Sequence, residues 1–539
     1  MAAGNRGLSR RIANVRQRTW LKVFALACLL WVFWYPKRMD SLYRAIPAGA
    51  TIASYHKGLA SEWKGLVNNE TIVEMLKGFG VLDAEELKNE SGICQTIYWL
   101  TGRHTVAGFV PQASYGETRG YLAASSYVGW KAKIMELLWR IKWVPGLGRM
   151  QATSNGTRYM VFEDLLDLEG HQLFLGLDIE DGILVATLSR DPETVRMLSQ
   201  RIIQCGKHDL LAAAYGGTEP WKIKSNATHR LWVSDRELLG DNGPVTAEVS
   251  TLREPDFAVF VSGPFDVPEL EGVGRFGGHP GKAAPCADVP DSAATLLVAF
   301  DSEIAAALAR EATSAGSYVP PVDEGLGVAY LSGKPYSGRL VGLAYPALNA
   351  ALPWSPRDDF SKWASGWIRD LDAAAPEAKI RTLAISEKGV DSFRLFSSHL
   401  EFLGVAQPRE MAFMELRGDA LRLGSYYDSY DLQRADYAKA KKGPSVADSV
   451  AAWRREHPDA FLAIRMDMPA VAGEFAHFAG IAKMVANTMS GKEDVRETVA
   501  QIHAASWVLN ALKPLGEVEC IASAKASGVK TLRITTKAK

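Results

Sequence analysis

The chain has 539 residues, 61 Lys plus Arg against 61 Asp plus Glu, no formal net charge and 47% hydrophobic residues. That balance excludes the basic surface nucleic acid needs, and the apolar content is that of a globular protein with room for one large core or several ordinary ones. Beyond the N-terminal region, Cys94, Cys205, Cys286 and Cys520 are too widely spaced for a metal finger or a CxxC redox pair, and three disulfide pairings are formally open.

The first 19 residues form a basic leader, with Arg6, Arg10, Arg11, Arg16 and Arg18 and no acidic residue. A run of apolar residues from Val23 to Tyr35 follows and ends at Pro36-Lys37-Arg38. Seven Val, Leu and Phe residues between Val23 and Phe33 supply roughly 2 to 4 kcal/mol of insertion free energy. Trp20, Trp34 and Tyr35 stand where interfacial aromatics belong, and Lys22 can snorkel. Bulky Trp34, Tyr35 and Pro36 leave no small-residue cleavage site, so residues 20–36 are read as an uncleaved transmembrane anchor. The positive-inside rule then puts the N-terminus in the cytoplasm and the bulk of the chain in the periplasm or extracytoplasmic space, anchored in the inner membrane.

The exported part opens with Pro47 to Tyr55, a proline-led apolar strand running into a helix that contains Trp63. Proline suits a strand's first residue because it donates nothing to the ladder. Pro255, Pro290 and Pro458 begin similar strands. Further on, Trp130 to Trp143 forms a cationic, Trp-rich amphipathic segment. Trp130, Ile134, Leu137, Leu138 and Ile141 make one stripe, with Trp139 and Trp143 at its flank. Such a helix either packs on its sheet or contacts a membrane or an apolar ligand.

A hairpin from Gln172 to Thr187 turns at Asp181-Gly182, and Asp191-Pro192 then starts a helix. A second copy runs from Met411 to Leu423 around Gly418-Asp419. The copies are about 240 residues apart, too far for a solenoid, which indicates two tandem domains. The first spans 45–250 and the second 293–539, with a Gly/Pro-rich junction at 251–292. Hairpins mixed with helices, without βαβ alternation, predict an α+β fold of antiparallel sheets with helices packed on one face.

Taken together, the proline-led strand, the hairpin with its acidic-Gly turn and the capped helix behind one N-terminal span resemble uncharacterised bacterial envelope proteins. The resemblance covers most of 45–220 and, more loosely, 290–539. It implies anchored, periplasmic, repeated α+β domains, and no catalytic residues carry over from it.

The local motifs assign no catalytic residue, cofactor or metal. Gly272-Val-Gly-Arg-Phe-Gly277 spells a dinucleotide fingerprint but lies among prolines, without the strand and helix that motif requires. Glu474 and His477 form half of a di-iron helix motif, and only one copy exists. Asp370-Leu-Asp372 matches the Asp-x-Asp of type II glycosyltransferases but follows Trp363 and Trp367 at helical spacing. The leading expectation is a non-catalytic role in envelope interaction, assembly or maintenance, with the membrane and an envelope protein or lipid as partners. The alternatives are a binder of lipid or another apolar ligand, and a membrane-tethered enzyme such as a glycosyltransferase.

Overall fold

The computed structural model describes residues 22–28, 30, 42, 46, 98 and 214 and, with breaks, 49–79, 100–140, 151–195, 226–305, 325–397 and 409–538. It is α+β and divides into two compact units. Unit 1 comprises Met1–Leu66 and Lys88–Arg253, and unit 2 comprises Val67–Leu87 and Glu254–Lys539.

Among the described residues unit 1 contains nine strands, β1 (Ile52–Lys57), β2 (His104–Ser114), β3 (Glu117–Tyr127), β4 (Gln151–Ala152), β5 (Met160–Leu168), β6 (His171–Glu180), β7 (Ile183–Ser189), β8 (His229–Val233) and β9 (Val245–Val249). All pair antiparallel, in the order β9-β8-β1-β2-β3-β7-β6-β5-β4. Alternation along β1 sends Ala53 and Tyr55 to one face and Ser54 and His56 to the other. The first of these faces is the core, where Ala53 and Tyr55 meet Val106, Ala123 and Trp232. Two residues from before the first strand, Leu42 and Ile46, are fully buried in the same cluster. Ile46 sits directly on Gly108 of β2, where an added Cβ would lie 2.4 Å from its Cγ2. The opposite face carries α1 (Leu59–Asn68) and α3 (Trp130–Arg140), the helix between them in sequence being α2 (Glu70–Gly78) of unit 2.

Unit 2 contains β10 (Ala258–Gly263), β11 (Ala294–Asp301), β12 (Leu326–Ser332), β15 (Ala347–Pro353), β16 (Ile380–Glu387), β17 (Val390–Ser397), β18 (Arg409–Arg417), β19 (Ala420–Gly424), β20 (Ala460–Asp467), β21 (Glu517–Ala524) and β22 (Lys530–Lys537). Their antiparallel order is β10-β22-β21-β20-β11-β12-β15-β19-β18-β17-β16. A separate hairpin pairs β13 (Gly338–Leu340) with β14 (Leu343–Tyr345). The helices are α4 (Phe360–Ala374), α5 (Tyr427–Ala440), α6 (Val446–Glu456), α7 (Met468–Thr488) and α8 (Glu493–Leu512).

The two strand orders correspond. Numbered by chain order from β1 and from β11, and leaving out β10, β22 and the small β13–β14 hairpin, both sheets read 9-8-1-2-3-7-6-5-4. In both, a helix follows the third strand, α3 in unit 1 and α4 in unit 2. The hairpins β6–β7 and β18–β19 occupy equivalent places, and their turns use Gly182 (φ 81°) and Gly418 (φ 64°), a left-handed backbone that favours glycine. The counterpart of the Pro47-led strand is β11, entered from Pro290, and not the strand after Pro458.

The helices of unit 2 do not lie on one face, contrary to the sequence reading. Phe360 and Ala364 of α4 pack with Leu352, Leu395, Met414 and Leu421. Val446, Val450 and Trp453 of α6 pack with Leu297, Val328 and Ala351. Ala351 and Leu352 are consecutive in β15, so the two clusters lie on opposite sides of the sheet. A run such as Ala351-Leu352-Pro353, buried at every residue, needs a cover on both faces.

β10 crosses the stretch read as the Gly/Pro-rich junction, and Phe276 and Val289 of that stretch are fully buried in the unit 2 core. Of the expected anchor, residues 22–28 are helical, with Val23, Phe24, Leu26 and Leu30 each half or more exposed. Among the described residues no helix is long and apolar enough to cross a membrane, and most of the rest of 20–36 lies outside them. Cys28 and the half-buried Cys520 are free thiols, whereas Cys94, Cys205 and Cys286 lie outside the described residues.

The seating of Ile46 on Gly108 has a measurable consequence. Ile46→Ala removes buried aliphatic volume and should lower stability by ~2–4 kcal/mol. Gly108→Val forces the same contact apart and should destabilise comparably. Urea unfolding of the two variants checks this, and an unchanged midpoint for both would show that the segment before β1 is not part of the core.

Candidate functional site

The helix α1 begins one residue after β1 and lies across the outer face of β1, β8 and β9. Its Leu59, Trp63 and Leu66 recur at helical spacing and form one wall of a cleft of ≈ 290 Å³, opposite Val249 and Leu252. His56, His229 and Glu62 complete the lining, which is apolar almost throughout.

His56 of β1 and His229 of β8 are paired in register across the sheet. Their Nδ1 atoms are 2.9 Å apart, and Nε2 of His56 is 3.1 Å from Oγ of Ser54. Glu62 is buried, 3% exposed, and its carboxylate is tightly held. Arg253 Nε lies 2.8 Å from Oε1, and Oε2 accepts from the Leu252 amide at 3.0 Å and from the Thr251 hydroxyl at 3.0 Å. Nε2 of His229 approaches Oε2 of Glu62 at 3.7 Å, an electrostatic contact too long for a hydrogen bond. That nitrogen is buried without a hydrogen-bond partner.

Both imidazoles are neutral at pH 7. Burial, and the repulsion that a second protonated imidazole at His229 would add, push His56 down to about 4. Burial also lowers His229, against the opposing influence of Glu62. Two neutral rings joined through Nδ1 must hold different tautomers. A proton on Nδ1 of His56, donated to Nδ1 of His229, leaves the His229 proton on Nε2, facing the carboxylate side. The reverse assignment would set a bare nitrogen lone pair against Glu62. The consistent chain is therefore Ser54 Oγ–H to His56, His56 to His229, and His229 Nε2–H left over. On the other face of β1, the Tyr55 hydroxyl is 2.8 Å from Nδ1 of His104. Burial likewise pushes His104 down to about 4, helped by Arg103 and Lys57, and pushes the Tyr55 hydroxyl up to about 12.

Unit 2 holds a different buried polar cluster. Glu415, 1% exposed, lies 3.0 Å from Arg417 Nε and 3.3 Å from Arg422 Nη1. Burial pushes Glu410 up to about 7, against the pull of Arg394. Arg394 stacks 3.9 Å over the Tyr427 ring.

The helix α3 packs by a face other than the sequence stripe. Ala132 and Met135 meet Leu177, Ile179 and Leu184. Lys131 is buried and donates to the carbonyls of Tyr98 and of Thr101, the latter at 3.3 Å. Trp130 and Ile134 are half-buried and Leu137 is 50% exposed. Leu138 and Trp139 lie in the helix, with their side chains outside the described residues, as are Ile141 and Trp143 altogether.

Asp370 and Asp372 sit within α4, Asp370 beside Arg369 at 3.8 Å and Asp372 exposed, not at a strand end. In the fingerprint region Phe276 is buried and the Gly277 amide donates to the Pro458 carbonyl, so that amide is committed within the fold. His477 is exposed on α7. Asp191 caps as its position indicates, accepting from the Thr194 amide at 3.1 Å.

Sequence reasoning missed His56, Glu62 and His229. Their only local signal is Ser54 and His56 two apart on one strand, which puts both on one face. No family model, curated protein or solved structure matches the chain.

The neutral pair makes stability depend on pH. An unfolded histidine titrates near 6.5, so between that value and about 4 the unfolded chain binds more protons than the folded one. The stability is complete above pH ~6.5 and is lost as pH falls toward 4, with His56 alone accounting for ~3 kcal/mol. Urea midpoints followed from pH 8 to 4 should fall through that window and fall less in His56→Phe. Equal slopes would show that His56 titrates normally.

Proposed function

We propose that the chain is a single-pass membrane protein, with its N-terminus in the cytoplasm and an exported part built from two tandem units of one topology. Its role is non-catalytic, in envelope interaction, assembly or maintenance. The observation that carries this reading is the start of the fold. An apolar helical stretch at 22–28 exposes Val23, Phe24 and Leu26, and the chain enters the unit 1 core at Leu42. Between Pro36 and Leu42 the chain reaches at most ~20 Å, so unit 1 stands against the membrane surface.

An interaction role is further supported by apolar side chains on the outer faces. Leu122 and Leu231 on the sheet of unit 1, Leu348 on that of unit 2 and Leu137 on α3 are each 40% or more exposed. The reading favours an envelope protein or lipid headgroup layer at the membrane as the partner. Binding of an apolar ligand is the second reading, favoured by the walls of the α1 cleft.

Alkaline carbonate extraction of membranes tests the anchor. The full-length chain should stay with the pellet, and a chain lacking residues 1–38 should move to the supernatant with native circular dichroism. Release of the full-length chain by carbonate would overturn the reading.

A further inference from the structure

The strand β16 closes one side of the unit 2 sheet, and among the described residues it pairs with β17 alone. Its other side is a row of backbone N–H and C=O groups with no strand beside it. Natural sheets protect such an edge with a very short strand, a proline, a lysine or a bulge. The sequence Ile380-Arg-Thr-Leu-Ala-Ile-Ser-Glu387 runs for eight residues without any of these, and its register with β17 is unbroken. Arg381, Thr382, Leu383 and Ala384 are exposed in succession, so neither face of the strand is covered there. The shared topology does not demand this length. The counterpart of β16 in unit 1 is β4, paired over Gln151–Ala152 only among the described residues.

The side chains of β16 indicate what covers the edge. When a strand pairs antiparallel with its own copy, opposed residues must both turn their N–H and C=O toward the partner, so they lie an even number of positions apart. With Ala384 opposite the Ala384 of a second copy, Arg381 faces Glu387, Thr382 faces Ser386 and Leu383 faces Ile385, each pair occurring twice. Opposite charges, hydroxyl pairs and aliphatic pairs are the cross-strand neighbours that stabilise a sheet. Moving the centre by one residue in either direction sets a charge against an apolar side chain, Arg381 against Ile385 or Glu387 against Leu383. The strand is thus complementary to itself in one register. We propose that β16 is an interaction surface for a second copy of this chain, joining two unit 2 sheets into one antiparallel sheet about a two-fold axis at Ala384. Such a contact is isologous and closes at the dimer. It names a partner beyond those of the proposed function and does not depend on the membrane anchor, so its failure would leave that reading standing.

Cysteine crosslinking of the full-length protein in detergent tests the register. Opposed residues have Cβ atoms about 5 Å apart, near enough for a disulfide, whereas the two copies of residue 381 would be separated by roughly 20 Å. Under mild oxidation Ala384→Cys should give a disulfide-linked 384–384 peptide by mass spectrometry, and Arg381→Cys should give no 381–381 peptide. Arg381→Cys mixed with Glu387→Cys should give the 381–387 peptide. Reading the linked peptide separates these bonds from any made by the five native cysteines. Sedimentation equilibrium supplies a measurement without crosslinking. Arg381→Glu should weaken the dimer about tenfold, and Arg381→Glu/Glu387→Arg should restore it. All three positions are exposed, where substitutions alter stability little. A missing 384–384 peptide, or a 381–381 peptide of equal abundance, would overturn the self-pairing. A charge swap that restores nothing would overturn the register.

Discussion

In unit 1, β1 is hydrogen-bonded on both sides, to β2 and to β8, and its register against them determines what each face of the sheet contains. A slip of one residue would turn Tyr55 and Ala53 out of the core and drive His56 and Ser54 into it. The slip is opposed from both directions. Tyr55 is buried against Val106, Ala123 and Trp232 on one side, with Ile46 filling the space over Gly108. On the other side His56 can meet His229 only in the observed register. The same pairing that builds the core therefore assembles the cleft.

Glu62 joins the helix to that sheet. A carboxylate buried to this degree without partners would destabilise by several kcal/mol. Here it is surrounded by a guanidinium, a backbone amide and a hydroxyl, all from residues 251–253 after β9. The helix α1 is thereby fixed to the far edge of the sheet by polar contacts, and its leucines and Trp63 need not close fully on the strands. The α1 cleft lies directly beside this cluster, with Glu62 itself in its lining.

Local features were legible in the sequence, and features that depend on register were not. The two hairpins could be read because Asp181-Gly182 and Gly418-Asp419 each specify their turn within a few residues. The α+β class followed from the same signals. The histidine pair joins residues 173 positions apart, and neither has a neighbour that marks it. Leu42 lies ahead of the first domain as read from the sequence and is core in the structure, and nothing local shows that Gly108 leaves room for Ile46. On α3 the amphipathic pattern was visible but the buried side was not. The large residues Trp130, Ile134 and Leu137 attract attention, whereas small Ala132 and the stem of Lys131 let the helix approach the sheet closely.

Repetition of one strand order with different side chains separates what the topology needs from what one unit adds. Both units keep the order 9-8-1-2-3-7-6-5-4, the glycine-turned hairpin and the helix after the third strand, and these have a structural explanation in sheet pairing and cover. Buried polar groups differ. Unit 2 places Glu415 among arginines on β18 and β19, and unit 1 places its imidazoles on β1 and β8. In unit 2 Glu415 lies between Arg417 and Arg422, so the buried carboxylate is paired with two guanidinium groups. In unit 1 the imidazole pair ends on Nε2 of His229, buried 3.7 Å from the Glu62 carboxylate. The imidazole pair is therefore an addition to the shared frame, since the same topology forms with Phe300 paired to Leu462 in unit 2.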